Sequence, residues 1–229
     1  MIFWNQKEVL FSGISEYVNK YGVKSVLDIG AGDGNLALKI SNIINDYTAI
    51  ENDNRKIENL RKLRLKVIKG NFPAVKIAKK YDLVLSSHSV PENIEEIEQF
   101  LKEACRLVKS GGLLLIITFK GGKGDVFKLK EKLKRTAEIA DKEHFEKISN
   151  TLRKLGKIKI KKKISTIKSD KLRDIIKIVR FSLGNSKNQE LKKKIISLMK
   201  KHFKTNGKYL FKFEHLFLSL KKYGRQHAK

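Results

Sequence analysis

Hydrophobic positions along this chain recur with two periods, and the changes of period mark the elements. Val9, Leu10, Ile14, Val18 and Tyr21 fall at helical spacing and stop at Gly22, which predicts a leading helix over residues 7–21. Lys24–Ile29 is a short apolar run that reads as a buried strand, Gly30–Gly34 is a tight loop, and Leu36, Leu38 and Ile40 are the apolar positions of the next helix. The alternation then repeats: strand 46–51, helix 53–64, strand 66–69, a short helix after Pro73, strand 81–87 and helix 92–109. The strand LLLIITF follows Gly111-Gly112. Strands separated by helices of this length pair in parallel through right-handed crossovers, so the fold class is α/β with a doubly wound sheet.

Beyond Phe119 the pattern loosens. A Gly-rich turn at Gly121, Gly122 and Gly124 opens a long helical region to Leu155, broken near Asp141 and ended by Gly156. Residues 157–168 alternate isoleucine with lysine, then crowd three lysines, which suits a strand near a sheet edge where charge discourages further pairing. Helices are expected over 170–182 and 188–204, separated by Gly184-Asn185. Asn206-Gly207 is a turn signal before the aromatic strand that begins at Tyr209. The tail KKYGRQHAK reads as a frayed end.

Composition adds bounds. With 229 residues, of which 41% are hydrophobic, one core is expected, formed by residues 1–120 and completed by residues 121–229. The single cysteine, Cys105, sits at an apolar position of a helical pattern and reads as filler. The start MIFWNQKEVL lacks the features of a signal peptide, and no stretch of about 18 apolar residues exists, so a soluble cytoplasmic protein with no membrane partner is expected. Charge changes the picture more. Residues 1–119 hold 17 Lys+Arg against 14 Asp+Glu, whereas residues 120–229 hold 34 against 10. A uniform lysine bias does not explain this asymmetry, and two readings stand side by side: a solvated lysine face, or a surface for nucleic acid.

The candidate chemistry lies in VLDIGAGDGN, residues 26–35. A strand ending in an acid and turning through three alternate glycines lets backbone N–H groups and a helix N-terminus approach a nucleotide-like ligand without a Cβ in the way. In the dinucleotide pattern G-x-G-x-x-G the third glycine stands where this chain has Asn35. Asp28 also suits a positively charged ligand better than a pyrophosphate, although an acid there could simply cap the turn.

These residues resemble the first motif of the class I, Rossmann-like, S-adenosylmethionine-dependent methyltransferases. The resemblance covers residues 1–120, and beyond them only the strand order. It implies a mostly parallel seven-stranded sheet with helices on both faces, an antiparallel last strand, and a helical insert between the last two strands. It implies S-adenosyl-L-methionine as cofactor, held by Asp28, Gly30, Ala31, Gly32, Gly34, Glu51, Asn52, Asn71, Phe72 and Ser86. Within that set Glu51, 21 residues after Gly30, takes the place of the acid that binds both ribose hydroxyls. Gly70-Asn71-Phe72 stands where a Gly-Asp motif contacts the adenine amine; Asn71 offers an amide oxygen instead of a carboxylate, and Phe72 either lies against the ring or is ordinary core. Phe3, Trp4 and Phe11 either cover the cofactor from the leading helix or pack in the core.

The fourth motif of the resemblance would be Asp82–His88. A sulfonium methyl is electrophilic without help, so a base matters only where the acceptor must lose a proton. His88 is the candidate for that role, or else it only shapes the pocket. His144, His202, His215 and His227 lack neighbours in sequence that suggest chemistry, and Glu92 reads as a first-turn acid. Ser86-Ser87-His88-Ser89 is unlike the Asn/Asp-Pro-Pro-aromatic motif of enzymes that methylate base amines. The expected reaction is methyl transfer to an oxygen or nitrogen of a small molecule; the alternatives are an RNA methyltransferase using the basic second half, or a noncatalytic cofactor- or RNA-binding module. Acceptor specificity is expected from residues 121–150 and 170–205.

Overall fold

A computed structural model describes residues 3–119, 123–133, 137–182 and 189–223. In chain order its elements are β1 (Phe3–Trp4), α1 (Gln6–Tyr21), β2 (Ser25–Ile29), α2 (Asn35–Ser41), β3 (Asp46–Glu51), α3 (Asn54–Lys62), β4 (Lys66–Lys69), β5 (Tyr81–Ser87), α4 (Ile94–Arg106) and β6 (Val108–Thr118). They continue with α5 (Asp125–Lys132), α6 (Ala137–Leu155), β7 (Ile158–Ser169), α7 (Leu172–Ser182), α8 (Gln189–His202), β8 (Lys204–Thr205) and β9 (Lys208–Lys221). Seven long strands lie side by side in the order β7-β9-β6-β5-β2-β3-β4; the two-residue strands β1 and β8 add to β7 and β9 respectively. The pairs among β2, β3, β4, β5 and β6 are parallel, and β9 runs antiparallel between β6 and β7. The α/β expectation, including the antiparallel last strand, is met.

Alternation along the central strands divides their side chains between two cores. Val26, Leu83, Leu85, Leu113 and Leu115 face one side with Leu10, Ile14, Ala37, Ile40 and Leu60, so α1, α2 and α3 cover that face. Leu27, Val84, Leu114 and Ile116 face the other side with Ile97, Phe100, Leu101, Ile148 and Leu152 of α4 and α6. Burial of these apolar side chains at roughly 1.5–3 kcal/mol each is the main term holding the layers together. Local signals set the element ends: Gly22 closes α1 at φ 57°, and the Asp53 and Asn93 side chains accept N–H groups of the first turns of α3 and α4.

The antiparallel strands are longer than their parallel neighbour. β9 pairs with β6 only from Leu216, opposite Thr118, to Lys221, whereas β7 follows β9 from Leu220 back to Tyr209. Residues 208–215 and the matching end of β7 therefore overhang the carboxyl edge of the parallel strands. A third core forms on this overhang, where Phe211 and Phe213 pack with Val126, Leu129, Ile175, Val179, Ile195 and Met199 of α5, α7 and α8. The helical insert is thereby fixed above the edge where crevices open in doubly wound sheets.

Three local expectations are corrected. Residues 71–75 close a single turn, Val75 N–H to the Asn71 carbonyl at 2.9 Å, and only Ile77 of the following lysine-rich segment is buried, so no helix follows Pro73. α6 runs without a break through Asp141, because Ile148 and Leu152 dock its second half against α4. Phe3 and Trp4 are 56% and 41% exposed and pair with Lys168 and Ile167 of β7, so neither fills the core. Phe11 packs against the core of the α1 face. Gly121, Gly122, Gly184, Asn185 and the last six residues of the tail lie outside the described residues. Among the described residues, no helix is long and apolar enough to cross a membrane.

Candidate active site

β2 ends at Ile29 and the chain turns through Gly30, Gly32 and Gly34, with φ of 75°, 65° and 85°. These angles lie in the left-handed region, where a side chain is strained. The three glycines nonetheless serve different ends. A Cβ on Gly30 would stand 2.4 Å from the Ser89 Cβ, and one on Gly34 would stand 2.7 Å from Leu63 Cδ1. Gly30 thus lets the loop meet the segment after β5, and Gly34 lets α2 begin against α3. A Cβ on Gly32 would meet only the Gly30 carbonyl oxygen, at 4.0 Å, so this residue presents its bare backbone to open space.

Glu51, at the end of β3, is 5% exposed. Its Oε2 accepts the Gly32 N–H at 2.9 Å, and its Oε1 accepts the N–H groups of Asn52 and Asp53 at 3.0 and 3.2 Å. The carboxylate is thus pinned between two loops with lone pairs to spare for further O–H donors. Asn52 Nδ2 donates to Asn71 Oδ1 at 2.6 Å, joining the ends of β3 and β4. Around these groups opens a crevice of ≈ 430 Å³, walled also by Ile29, Ile50, Lys56, Gly70, Phe72, Ser87, His88, Ser89 and Phe100. Phe72 and Phe100 meet edge to face, with ring centroids 5.0 Å apart. One end of the crevice is therefore aromatic, and its middle carries a carboxylate.

The structure brings Gly30, Gly32, Glu51, Asn52, Asn71, Phe72 and His88 together on this wall. Asp28, Ala31, Gly34 and Ser86 stand behind it. Asp28 is 3% exposed and accepts the Tyr47 hydroxyl at 2.6 Å; loss of solvent, set against that hydrogen bond, pushes its carboxyl up to about 6, with the Glu51 charge adding to the rise. It supports the loop from below. Ala31 hydrogen-bonds back to the Ile50 carbonyl at 3.3 Å and packs on the core. Ser86 is buried and bonded to Ser89 Oγ at 2.8 Å, and Ser89 in turn donates to the Ile29 carbonyl. Ser86 and Ser89 thus latch β5 to β2, which leaves Ser87 and His88 for the wall.

Lys56, Ser89 and Phe100 join the wall although no motif marks them, and Ser87 joins it from within the fourth motif. Phe100 belongs by period to the core face of α4 and reaches the crevice where that face meets Phe72. His215 is the larger surprise. It is fully buried on the overhang of β9, its Nδ1 lies 3.2 Å from His88 Nε2, and its Nε2 lies 2.8 Å from Ser165 Oγ. Burial pushes His88 down to about 3, with the neighbouring His215 adding, and pushes His215 down to about 4, so both rings are neutral at physiological pH. His88 has φ 58°, donates its backbone N–H to the Ile117 carbonyl at 2.8 Å, and leaves Nδ1 enclosed with no partner among the described residues. A proton-accepting role gains nothing from this setting. His144 is likewise placed by structure, with Nε2 2.7 Å from the Pro91 carbonyl oxygen, while His202 is at the basic end of α8 and His227 lies outside the described residues.

Residues 27–116 match the family model described as a methyltransferase domain. No curated protein matches the chain. Among solved structures, the YcgJ protein of Bacillus subtilis is 14% identical with a TM-score of 0.62, over 93% of this chain and 99% of that one. The BH2331 protein of Bacillus halodurans C-125 is 15% identical with a TM-score of 0.59, over 93% of this chain and 100% of that one. CalS10, an amino pentose methyltransferase of Micromonospora echinaspora, is 13% identical with a TM-score of 0.46; 48% of this chain is covered, and the chain spans half of that protein's length, 50%. The family match and the shared fold agree with the glycine loop and the strand order.

Proposed function

We infer that this chain, whose residues 27–116 match the model of a methyltransferase domain, transfers the methyl group of S-adenosylmethionine to an oxygen or nitrogen of a small-molecule acceptor. One observation carries the reading: a carboxylate pinned between the glycine loop and the end of β3, in a crevice with an aromatic end. The residues fit the cofactor by chemistry. Glu51 would hold the ribose hydroxyls, Asn71 and Phe72 with Phe100 the adenine, and the backbone of Gly30 and Gly32 the amino-acid arm. When bound, the cofactor supplies an activated methyl group. The protein's own part is to align the acceptor and exclude water, and the overhang of β7 and β9 with its helices roofs the side where His88 stands.

A small acceptor is favoured because the wall beside His88 is enclosed and built from buried groups. RNA as acceptor is a second reading, supported by the excess of 34 Lys+Arg over 10 Asp+Glu in residues 120–229. Calorimetry with S-adenosylmethionine and with a nicotinamide dinucleotide tests the cofactor; binding of the latter alone would end this reading. Labelled methyl transfer to fractionated cell extract then separates the acceptors. Label confined to RNA, with an activity that falls steeply with salt, would replace the small molecule by the polyanion.

A further inference from the structure

We propose that Ser165, His215 and His88 form a hydrogen-bonded chain that fixes the His88 proton on Nδ1, so that the methyl acceptor is gripped through a carboxylate or carbonyl oxygen by a neutral N–H donor. The proposal rests on the reading of the crevice as a methyl-donor site and extends it to the acceptor. His215 is then a positioning residue, acting through His88.

Proton accounting decides the direction of the chain. A neutral imidazole carries one N–H, so each ring donates on one side and accepts on the other. The only hydrogen-bond partner of the Ser165 hydroxyl among the described residues is His215 Nε2, at 2.8 Å. If Ser165 donates, His215 carries its proton on Nδ1 and donates across 3.2 Å to His88 Nε2, which leaves the His88 proton on Nδ1. That arrangement leaves two groups unmatched, the His88 Nδ1–H and the lone pairs of the Ser165 oxygen. In the opposite arrangement His88 donates to His215 and His215 to Ser165, which strands two groups: the Ser165 hydroxyl hydrogen and the His88 Nδ1 lone pair. A hydroxyl that already donates loses little by accepting nothing, whereas an unprotonated imidazole nitrogen has one lone pair and no other way to be satisfied, so the first direction prevails.

The chain holds because its members are immobile. Ser165 and His215 are fully buried, on adjacent antiparallel strands in fixed register, with Ser165 opposite Phe213 and His215 opposite Lys163. His88 sits against Phe119, ring centroids 5.1 Å apart. Burial, which keeps both rings uncharged, also keeps one proton per ring, as the accounting requires.

His88 Nδ1 is enclosed and has no partner among the described residues, and its ring borders two spaces: the cofactor crevice and a small cavity of ≈ 30 Å³ shared with Val90, Glu92, Ile117, Thr118, Phe119 and His144. A group that satisfies Nδ1–H enters from one of them, at the carboxyl end of β5 where the methyl acceptor belongs. A donor-only cation such as an ammonium cannot satisfy an N–H. A carboxylate or carbonyl oxygen can.

Nitrogen-15 NMR of the histidine rings in the full chain, saturated with S-adenosylhomocysteine at neutral pH, tests this directly, with His88→Asn and His215→Asn to assign the signals. Both rings are expected neutral and protonated on Nδ1. Ser165→Ala is expected to cut the Nδ1–H population of both rings by at least about half, and Ser165→Thr to restore it, because only the hydroxyl donor differs. Sodium formate is expected to shift the His88 Nδ1–H signal, with sodium chloride leaving it in place. A His88 proton on Nε2, or tautomers indifferent to Ser165→Ala, overturns the chain; indifference to formate overturns the acceptor class. The backbone amides of Gly32 and Asn52 report the cofactor separately: if S-adenosylhomocysteine does not move them, the donor-site reading fails whatever the rings show.

Discussion

Most of the cofactor crevice is supplied by residues 29–72, three strand ends and their loops consecutive in the chain, whereas the wall behind His88 is assembled from β5, β7 and β9 across separations of 127 and 50 residues. The first region works mainly through backbone: positive-φ glycines, three N–H groups on Glu51, and a carbonyl of β3 receiving the loop. The second works through buried side chains whose meeting depends on the register of two long antiparallel strands. A site made of local backbone can be reached by changing one residue of a short motif. A site made of register can be reached only by disturbing the strands or by removing a member of the side-chain chain.

The largest expected effect separates the two regions as folding units. Phe211→Ala empties the centre of the core on the β9 overhang, where the ring is fully buried between Phe203 and Phe213. A loss of about 3–5 kcal/mol in urea unfolding is expected. Cofactor affinity of the molecules that remain folded should be unchanged, since no part of that core walls the crevice. An affinity that falls along with stability would mean the two regions are one unit.

Glu51→Ala comes next and acts in the opposite sense. It removes the acceptor of three N–H groups and the assigned ribose contact, with an expected loss of about 1.5–3 kcal/mol in S-adenosylmethionine binding, on the order of ten- to a hundred-fold in Kd. Calorimetry reads it, and the histidine ring signals should stay where they were. Unchanged affinity would remove Glu51 from the site.

The glycine loop sharpens the contrast within the first region. Ala at position 30 or 32 carries the strain of a left-handed backbone, about 1–2 kcal/mol. Only Gly30→Ala also drives a Cβ into Ser89, so its unfolding free energy should fall further than that of Gly32→Ala. Equal losses would show that the Ser89 latch yields freely.

What was legible in the residues follows the same division. Asp28 and the three glycines could be placed from the strand and turn signals, and Glu51 and Asn71 through the resemblance to the family's motifs, because each stands within a few residues of a strand end whose period is plain. Their separate duties could not. Gly30 and Gly34 differ in what their missing Cβ would strike, Asp28 falls behind the wall because side chains alternate across a strand, and Ser86 because its hydroxyl is engaged by Ser89. His215 looked inert because its neighbours in sequence are Glu214 and Leu216, while the groups that matter lie on β7 and at the end of β5. The absence of a helix after Pro73 was hidden for a related reason: Ile77 alone anchors a segment whose lysines carry no period.

Asp28 gives the smallest effect and the finest test of a buried support in the first region. Its carboxyl is raised to about 6 chiefly by loss of solvent, against an unfolded value near 3.9. The folded state therefore binds its proton more tightly than the unfolded chain does. The stability this contributes is fully present below the unfolded value and is lost as pH rises through about 6. His88 and His215 act with the opposite sign, since their lowered values make the unfolded chain the better proton binder, and stability is lost as pH falls below about 6.5. Asp28→Asn leaves both histidines in place, so their contributions cancel when variant and parent are compared at the same pH. Asparagine still offers an oxygen to the Tyr47 hydroxyl, so packing and that hydrogen bond are retained. The stability of Asp28→Asn relative to the parent should accordingly be greater at pH 7 than at pH 5, by about 1 kcal/mol, read from urea unfolding of both proteins at each pH. A difference that does not change with pH would mean that the carboxyl titrates as it does in water, and that the floor of the glycine loop is wetter than its enclosure implies.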